Sequence, residues 1–217
     1  MEPPQISTKI GTHSRQPRNT VFLNIPYDRR HENLYLAYIS GLCGFGLIPH
    51  ATLEISSGER RLERIFKLIR SCSYSLHDLS RVQLDRNPPP TPRFNMPFEL
   101  GLVVACAKLE SRTHKWFVFE ARQHRLGKSL SDLDGTDPHI HNGNPRDLLT
   151  ALTNVFVRSR NQPTARELGL IFADLKRTSE IIKENLGTDS LFGARAFHDL
   201  VIAARAIARE RLPWLTN

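Results

Sequence analysis

The chain has 217 residues, of which 40% are hydrophobic and 24% charged, and its formal net charge is +8. These values are ordinary for one globular domain with an appendage, and they exclude a disordered or fibrous chain. No apolar run is long enough for a membrane helix, and the first residues lack the apolar core of a signal peptide. We therefore expect a cytoplasmic protein with no membrane partner.

The basic charge attracts polyanions or phosphorylated small molecules. The basic residues are scattered, however, and no segment combines clustered arginine with aromatic side chains, so nucleic acid is only a weakly supported partner. The cysteines are odd in number and widely spaced, which predicts small core residues and no disulfide frame: Cys43, Cys72 and Cys106.

The first elements alternate between strand and helix after a polar, aperiodic segment at 1–20 that predicts a flexible arm. Residues 21–25 (VFLNI) form a short apolar run, which predicts a strand buried on both faces. A helical pattern follows from His31. Residues 47–55 predict a second strand, which Pro49 favours at the sheet edge, and an arginine-rich helix comes next.

Residues 73–80 (SYSLHDLS) predict a third strand. After a proline-rich loop, residues 93–108 (RFNMPFELGLVVACAK) predict a helix that Asn95 is suited to cap. Apolar residues at helical spacing predict its buried face: Phe98, Leu102, Ala105 and Leu109. Glu99 stands beside this stripe, near the helix start, where we expect it to face solvent or a crevice.

The rest of the chain completes the alternation. Residues 114–121 predict a fourth strand, and residues 135–145 a loop with a short fifth strand, before another helix. This order predicts an α/β fold with a flavodoxin-like, open and mostly parallel sheet of four or five strands and helices on both faces. We divide the chain into the arm, an α/β domain at 21–160 and a C-terminal helical hairpin at 161–217.

Polar residues gather where ligands bind in open α/β sheets, beyond the carboxyl ends of the strands. They belong to the loop after the first strand, the end of the third strand and the start of the following helix: Asn24, Tyr27, Asp28, Asp78, Ser80, Asn95, Phe98 and Glu99. A side chain at 99 points back toward the helix N-terminus and so reaches this crevice.

Each of these residues also has a structural interpretation. Glu99 fits a first-turn carboxylate favoured by the helix dipole, and Asp78 fits a loop cap. His139 and His141 lie two positions apart, so they would face the same side of a strand, as a pair of metal ligands does. No further ligands accompany them at a recognised spacing, so we predict no metal site.

The segments HDLSRV and RFNMPFELGLVVA together resemble the "DLS/T … NVxxELGxA" signature of the nucleoside 2-deoxyribosyltransferase-like and TIR-like families. VFLNIPYD resembles the first strand and loop of TIR-type domains. The similarity covers roughly residues 21–120 and depends on residues 78–80, on Asn95 and on residues 99–101. Met96 and Pro97 depart from the signature.

The resemblance implies cleavage of an N-glycosidic bond in NAD⁺, a nucleoside or a nucleotide, with no bound cofactor. It implies that Glu99 is the catalytic carboxylate, that Asp78 assists, and that the other residues of the crevice bind substrate. Families of this appearance often serve bacterial defence against phage. We also expect the protein to be a homo-oligomer. Two alternatives stay open: a nucleoside or nucleotide 2-deoxyribosyltransferase, and a non-catalytic TIR-like module that binds a nucleotide or a protein.

The chemistry suits a carboxylate at this point. Breaking the C1′–N bond builds positive charge on the sugar, which a carboxylate stabilises or attacks to give a glycosyl intermediate. Nicotinamide is already cationic in NAD⁺ and needs no proton to leave. A neutral base needs one, which Asp78 or His77 would supply.

Overall fold

Parallel strands form an open five-stranded sheet in the computed structural model, which describes residues 19–54, 60–82, 84–85, 90–110, 114–133 and 135–216. The strands are β1 (Thr20–Asn24), β2 (Ile48–Ala51), β3 (Tyr74–Asp78), β4 (Leu84–Asp85), β5 (Thr91–Pro92), β6 (Lys115–Glu120) and β7 (His139–Ile140). The sheet order is β2-β1-β3-β6-β7, while β4 and β5 form a separate antiparallel pair. The predicted flavodoxin-like sheet is thus confirmed, with β2 at an edge.

The helices are α1 (Glu32–Gly44), α2 (Arg61–Ser71), α3 (Asn95–Leu109), α4 (Leu126–Ser129), α5 (Pro145–Val155), α6 (Ala165–Leu186) and α7 (Ala194–Arg211). Short 3-10 helices span Arg29–His31, Thr52–Glu54, Ser131–Leu133 and Pro213–Leu215. Among the described residues, none of the helices combines the length and apolar character needed to cross a membrane. Residues 1–18 of the predicted arm lie outside the described part of the chain, and Thr20 begins β1.

Helices cover both faces of the sheet, and β1 shows why its sequence is apolar throughout. Val21 and Leu23 belong to the larger core, which α1, α5, α6 and α7 complete. Phe22 points the other way, into a smaller core with residues of α2 and α3. Because successive side chains of a strand alternate between faces, a strand with two covered faces needs an unbroken apolar run.

The C-terminal hairpin packs on α1 of the same chain. Gly44 of α1 allows this close approach, because a methyl group there would meet Leu168 of α6, and Gly41 in the same way leaves room for Leu149 and Leu152 of α5. Gly187 ends α6 in the left-handed conformation (φ 60°), which favours glycine. The hairpin therefore shares one continuous core with the sheet.

The prediction for the buried face of α3 is wrong. Phe98 is 54% exposed and Leu109 85%, whereas the buried residues of this helix are Met96, Glu99, Leu100 and Val103. The helix is apolar around most of its circumference, so periodicity alone could not select the face that meets the sheet. Asn95 does not cap the helix through its side chain, since the helix begins at Asn95 and Phe94 precedes it.

Candidate functional site

A cavity of about 690 Å³ opens at the carboxyl ends of β1 and β2, beside the first turn of α3. Its volume lies within the range of small-molecule sites. The residues that line it come from the loops after β1 and β2, the start of α2, β5 and the start of α3: Asn24, Ile25, Pro26, Tyr27, Thr52, Arg61, Thr91, Pro92, Arg93, Phe94, Asn95, Met96 and Glu99. The cavity thus lies where ligands bind in open α/β folds.

Glu99 is the acidic residue in this lining. Its side chain lies in the first turns of α3 on the buried face, is only 6% exposed, and makes no hydrogen bond or ion pair with any described residue. Burial raises the pKa of its carboxyl group to about 7, and the positive charge of Arg61 opposes that shift. A buried carboxylate that faces a cavity without a partner is unusual in a structural role.

Positive charge borders the same cavity. Arg61 lies at the start of α2 and forms no ion pair within the described part of the chain. Arg93 Nη1 donates to Asp28 Oδ2 at 3.0 Å, and Arg81 Nε donates to the same oxygen at 3.2 Å. Because Arg61 has no ion-pair partner among the described residues, this side of the cavity suits an anionic ligand.

Asn24 ends β1 and turns its amide toward α3. Its Nδ2 lies 2.8 Å from both His77 Nδ1 and the backbone carbonyl of Met96. His77 is fully buried, lies outside the lining, and contacts Ser75 Oγ through its Nε2 at 3.0 Å. Burial lowers the pKa of His77 to about 3, so the ring is neutral.

Asp78 is fully buried behind the cavity and does not line it. Its Oδ2 lies 3.0 Å from His31 Nε2, accepts from Tyr38 at 3.1 Å, and lies 3.3 Å from His141 Nε2. Burial alone would raise the pKa of Asp78, but its contacts with His141 and His31 hold that pKa well below its usual range. These contacts describe a positioning residue, and its catalytic assignment stays a prediction.

The structure brings together Asn24, Tyr27, Asn95 and Glu99 of the predicted site and leaves the others outside the lining. Tyr27 donates to the carbonyl of Leu23 at 3.3 Å. Ser80 donates both its backbone N–H and its hydroxyl to Asp78. Asp28 accepts from Arg30 N and holds the arginines at the rim. Phe98 lies on the exposed side of α3.

Sequence reasoning missed several lining residues: Thr52, Arg61, Arg93 and Phe94. Thr52 directly follows β2, but the sequence predicted that this strand extends to residue 55, so Thr52 was not placed at a carboxyl end. The rule for carboxyl ends was applied to the first and third strands only. Nothing in the sequence distinguishes Arg61 from its basic neighbours on α2, and only the fold directs it to the cavity.

The histidine pair near β7 separates in the structure. His139 packs against the ring of Phe119, whereas His141 is buried against Asp78. Within the described ranges, no group of three or more His, Cys, Asp or Glu side chains is arranged to hold a metal ion.

Comparison with known proteins adds no family to this geometry. No protein-family model matches the chain, and no curated protein matches its sequence.

Proposed function

We propose that the protein is an N-glycosidase that cleaves the C1′–N bond of a nucleotide, with NAD⁺ as the favoured substrate. One observation carries the proposal: the carboxylate of Glu99 is 6% exposed, has no partner among the described residues, and faces a cavity of about 690 Å³. Such a group is available to charge that develops on a bound ligand.

Glu99 acts in this mechanism as an ionised carboxylate. As the C1′–N bond lengthens, positive charge grows on the sugar ring, and the carboxylate stabilises it or attacks C1′ to form a glycosyl-enzyme. The base departs in this step with the bonding electron pair. Water then attacks C1′ and releases a proton, and where a glycosyl-enzyme has formed the water displaces the Glu99 carboxylate from C1′. A pKa of about 7 leaves a substantial ionised fraction at neutral pH.

The surroundings of Glu99 favour a leaving group that needs no proton. His77 and Asp78, the proton donors suggested by the sequence, both lie outside the cavity lining. His77 is neutral and hydrogen-bonded on both ring nitrogens, and the pKa of Asp78 is well below its usual range because of its contacts with His141 and His31. Nicotinamide leaves NAD⁺ as a neutral molecule, which fits this arrangement.

The charge at the rim favours a phosphorylated substrate over a nucleoside. Arg61 and Arg93 line the cavity, and guanidinium groups bind phosphate oxygens in a bidentate manner. Arg61 makes no ion pair with a described residue, so its guanidinium group is available to a phosphate. The resemblance extends the proposal to a role in defence by nucleotide depletion.

The test compares wild type with Glu99→Gln, which keeps the side-chain shape and removes the charge. Chromatography of the products from NAD⁺ and from a panel of nucleosides and nucleotides should show release of nicotinamide or free base by wild type. The variant should be at least about 10²-fold slower. Glu63→Gln, an exposed change on α2, is the matched control and should retain activity.

Three outcomes would contradict the proposal or favour one of its alternatives. Equal activity of wild type and Glu99→Gln refutes the role of Glu99. Transfer of the sugar to an added second base identifies a deoxyribosyltransferase. Nucleotide binding without consumption of any substrate, even at concentrations that allow self-association, identifies a non-catalytic module.

A further inference from the structure

We propose that Asn24 accepts a hydrogen bond from a sugar hydroxyl of the bound nucleotide, and that a buried row of side chains fixes Asn24 in this role. The row consists of His77, Ser75 and His114. The inference rests on the proposed function in one respect, which is that the sugar of the bound nucleotide lies beside Glu99. Asn24 touches the ligand, whereas His77, Ser75 and His114 do not, so these three are positioning residues.

The direction of every hydrogen bond in the row follows from its two ends. At one end, the carbonyl of Met96 can only accept, and it lies 2.8 Å from the amide group of Asn24. The atom of Asn24 at that place must therefore be the nitrogen, because an oxygen there would oppose another acceptor. The same Nδ2 lies 2.8 Å from His77 Nδ1, to which it donates its second hydrogen.

The remaining links then have one arrangement in which every hydrogen of the row has an acceptor. His77 is neutral and accepts at Nδ1, so its Nε2 carries the proton and donates to Ser75 Oγ at 3.0 Å. Ser75 has a single hydrogen, which goes to His114 Nε2 at 3.1 Å. His114 Nδ1 donates to the carbonyl of Cys72 at 3.0 Å, which again can only accept.

This arrangement decides what Asn24 offers to the cavity. Both of its amide hydrogens are used by Met96 and His77, and rotation of the amide by half a turn would break both bonds. Asn24 is 3% exposed and lines the cavity, where its remaining polar atom is Oδ1, an acceptor. The residue thus selects a ligand group that donates.

The position of Asn24 identifies that donor. Met96 and Glu99 lie about one turn apart on the buried side of α3, so the bond to Met96 holds Asn24 beside Glu99. Two neighbouring acceptors, a carboxylate and a carbonyl, face the ligand. If Glu99 addresses C1′ of the sugar, the hydroxyl groups of the same ring are the donors nearest to Asn24.

The test measures binding in the Glu99→Gln background, where turnover is blocked. Titration calorimetry with AMP, 2′-deoxy-AMP and 3′-deoxy-AMP should show that loss of one of the hydroxyls weakens binding by about 10-fold or more. In Glu99→Gln/Asn24→Ala, the same loss should weaken binding by less than about twofold, because the acceptor is gone. An equal hydroxyl effect in both proteins, no hydroxyl effect in the first, or no binding of any of the nucleotides overturns the proposal.

The row is tested by Ser75→Ala in the same background. Without the serine, the tautomer of His77 is no longer fixed, and a proton on His77 Nδ1 would oppose the amide of Asn24 and displace it, so the hydroxyl effect should fall below about threefold. Ser40→Ala is the matched control, since Ser40 is equally buried but lies on α1, where it donates to the carbonyl of Ala37. An unchanged hydroxyl effect in Ser75→Ala refutes the positioning role.

The unaltered protein provides a second measurement that needs no variant. Nitrogen-detected NMR of the histidine rings should find the Nε2–H tautomer for His77 and the Nδ1–H tautomer for His114. Either opposite tautomer contradicts the row. A failure of the proposed function looks different: wild type would bind AMP with the hydroxyl effect intact but would cleave no N-glycosidic bond.

Discussion

Oδ2 of Asp78 lies 3.0 Å from Nε2 of His31, and this contact joins the carboxyl end of β3 to the start of α1. Tyr38 from α1 and His141 from the segment after β7 meet the same oxygen. Asp78 therefore connects segments that are far apart in sequence, at the edge of the sheet where the cavity opens. Its burial and its partners together indicate that it supports the site from behind.

We expect Asp78→Asn to destabilise the protein by at least about 3 kcal/mol, because the change breaks a buried ion pair and leaves its partners unsatisfied. Urea unfolding followed by circular dichroism measures the loss. Asp199→Asn is the control, since Asp199 pairs with Arg195 on an exposed part of α7, and its free energy of unfolding should change by less than about 1 kcal/mol. A variant at 78 that is as stable as wild type but inactive would instead support the catalytic prediction.

Stability should depend on pH through Glu99. The pKa of its carboxyl group is raised by burial to about 7 in the folded protein, from an ordinary value of 4.5. Between these values the folded state holds a proton that the unfolded state has released, so raising the pH through this window destabilises the fold. At pH 8 the penalty reaches about 3 kcal/mol, and below pH 4.5 it vanishes.

Urea unfolding of wild type and Glu99→Gln between pH 4.5 and 8 checks this prediction. The variant should become progressively more stable than wild type as the pH rises. A difference between the two proteins that stays constant across the range would show that Glu99 titrates normally.

The rise of activity with pH on the acid side of the pH–activity profile should reflect ionisation of the Glu99 carboxyl group. If the ionised carboxylate is the active form, kcat/KM for NAD⁺ rises with pH through about 7. Arg61 opposes the raised pKa of Glu99, so Arg61→Gln should move this rise to higher pH. Lys67→Gln, an exposed change further along α2, is the control and should leave the rise in place. Activity that falls as pH rises through this range would make Glu99 a general acid.

The two faces of α3 should differ in their contribution to stability. Leu100 is 1% exposed and Leu109 is 85% exposed on the same helix. Leu100→Ala should cost about 2 to 5 kcal/mol because it opens a cavity in the core, whereas Leu109→Ala should change stability by less than about 0.5 kcal/mol. Thermal or urea unfolding of both variants decides the matter. Equal losses of stability in the two variants would instead support the buried face predicted from the spacing of Phe98 and Leu109.

Most of the fold was accessible from the sequence because it depends on local patterns. The apolar run at 21–25 predicted β1, and Pro49 predicted an edge strand, since proline cannot donate to a sheet ladder. The face of α3 was not accessible. Its apolar residues almost surround the helix, so the choice between Phe98 and Leu100 depends on which side the sheet approaches.

The candidate site was likewise predictable from the sequence only in part. The sequence by itself determined that polar residues follow the strands, and it directed attention to Asn24 and Glu99, because strand order and helix direction fix where such residues emerge. Tertiary structure alone decided that Glu99 is buried without a partner, that Arg61 joins it, and that Asp78 lies behind the cavity. The reason is physical: burial, the pKa of a carboxyl group and the direction of hydrogen bonds depend on neighbours that are distant in sequence.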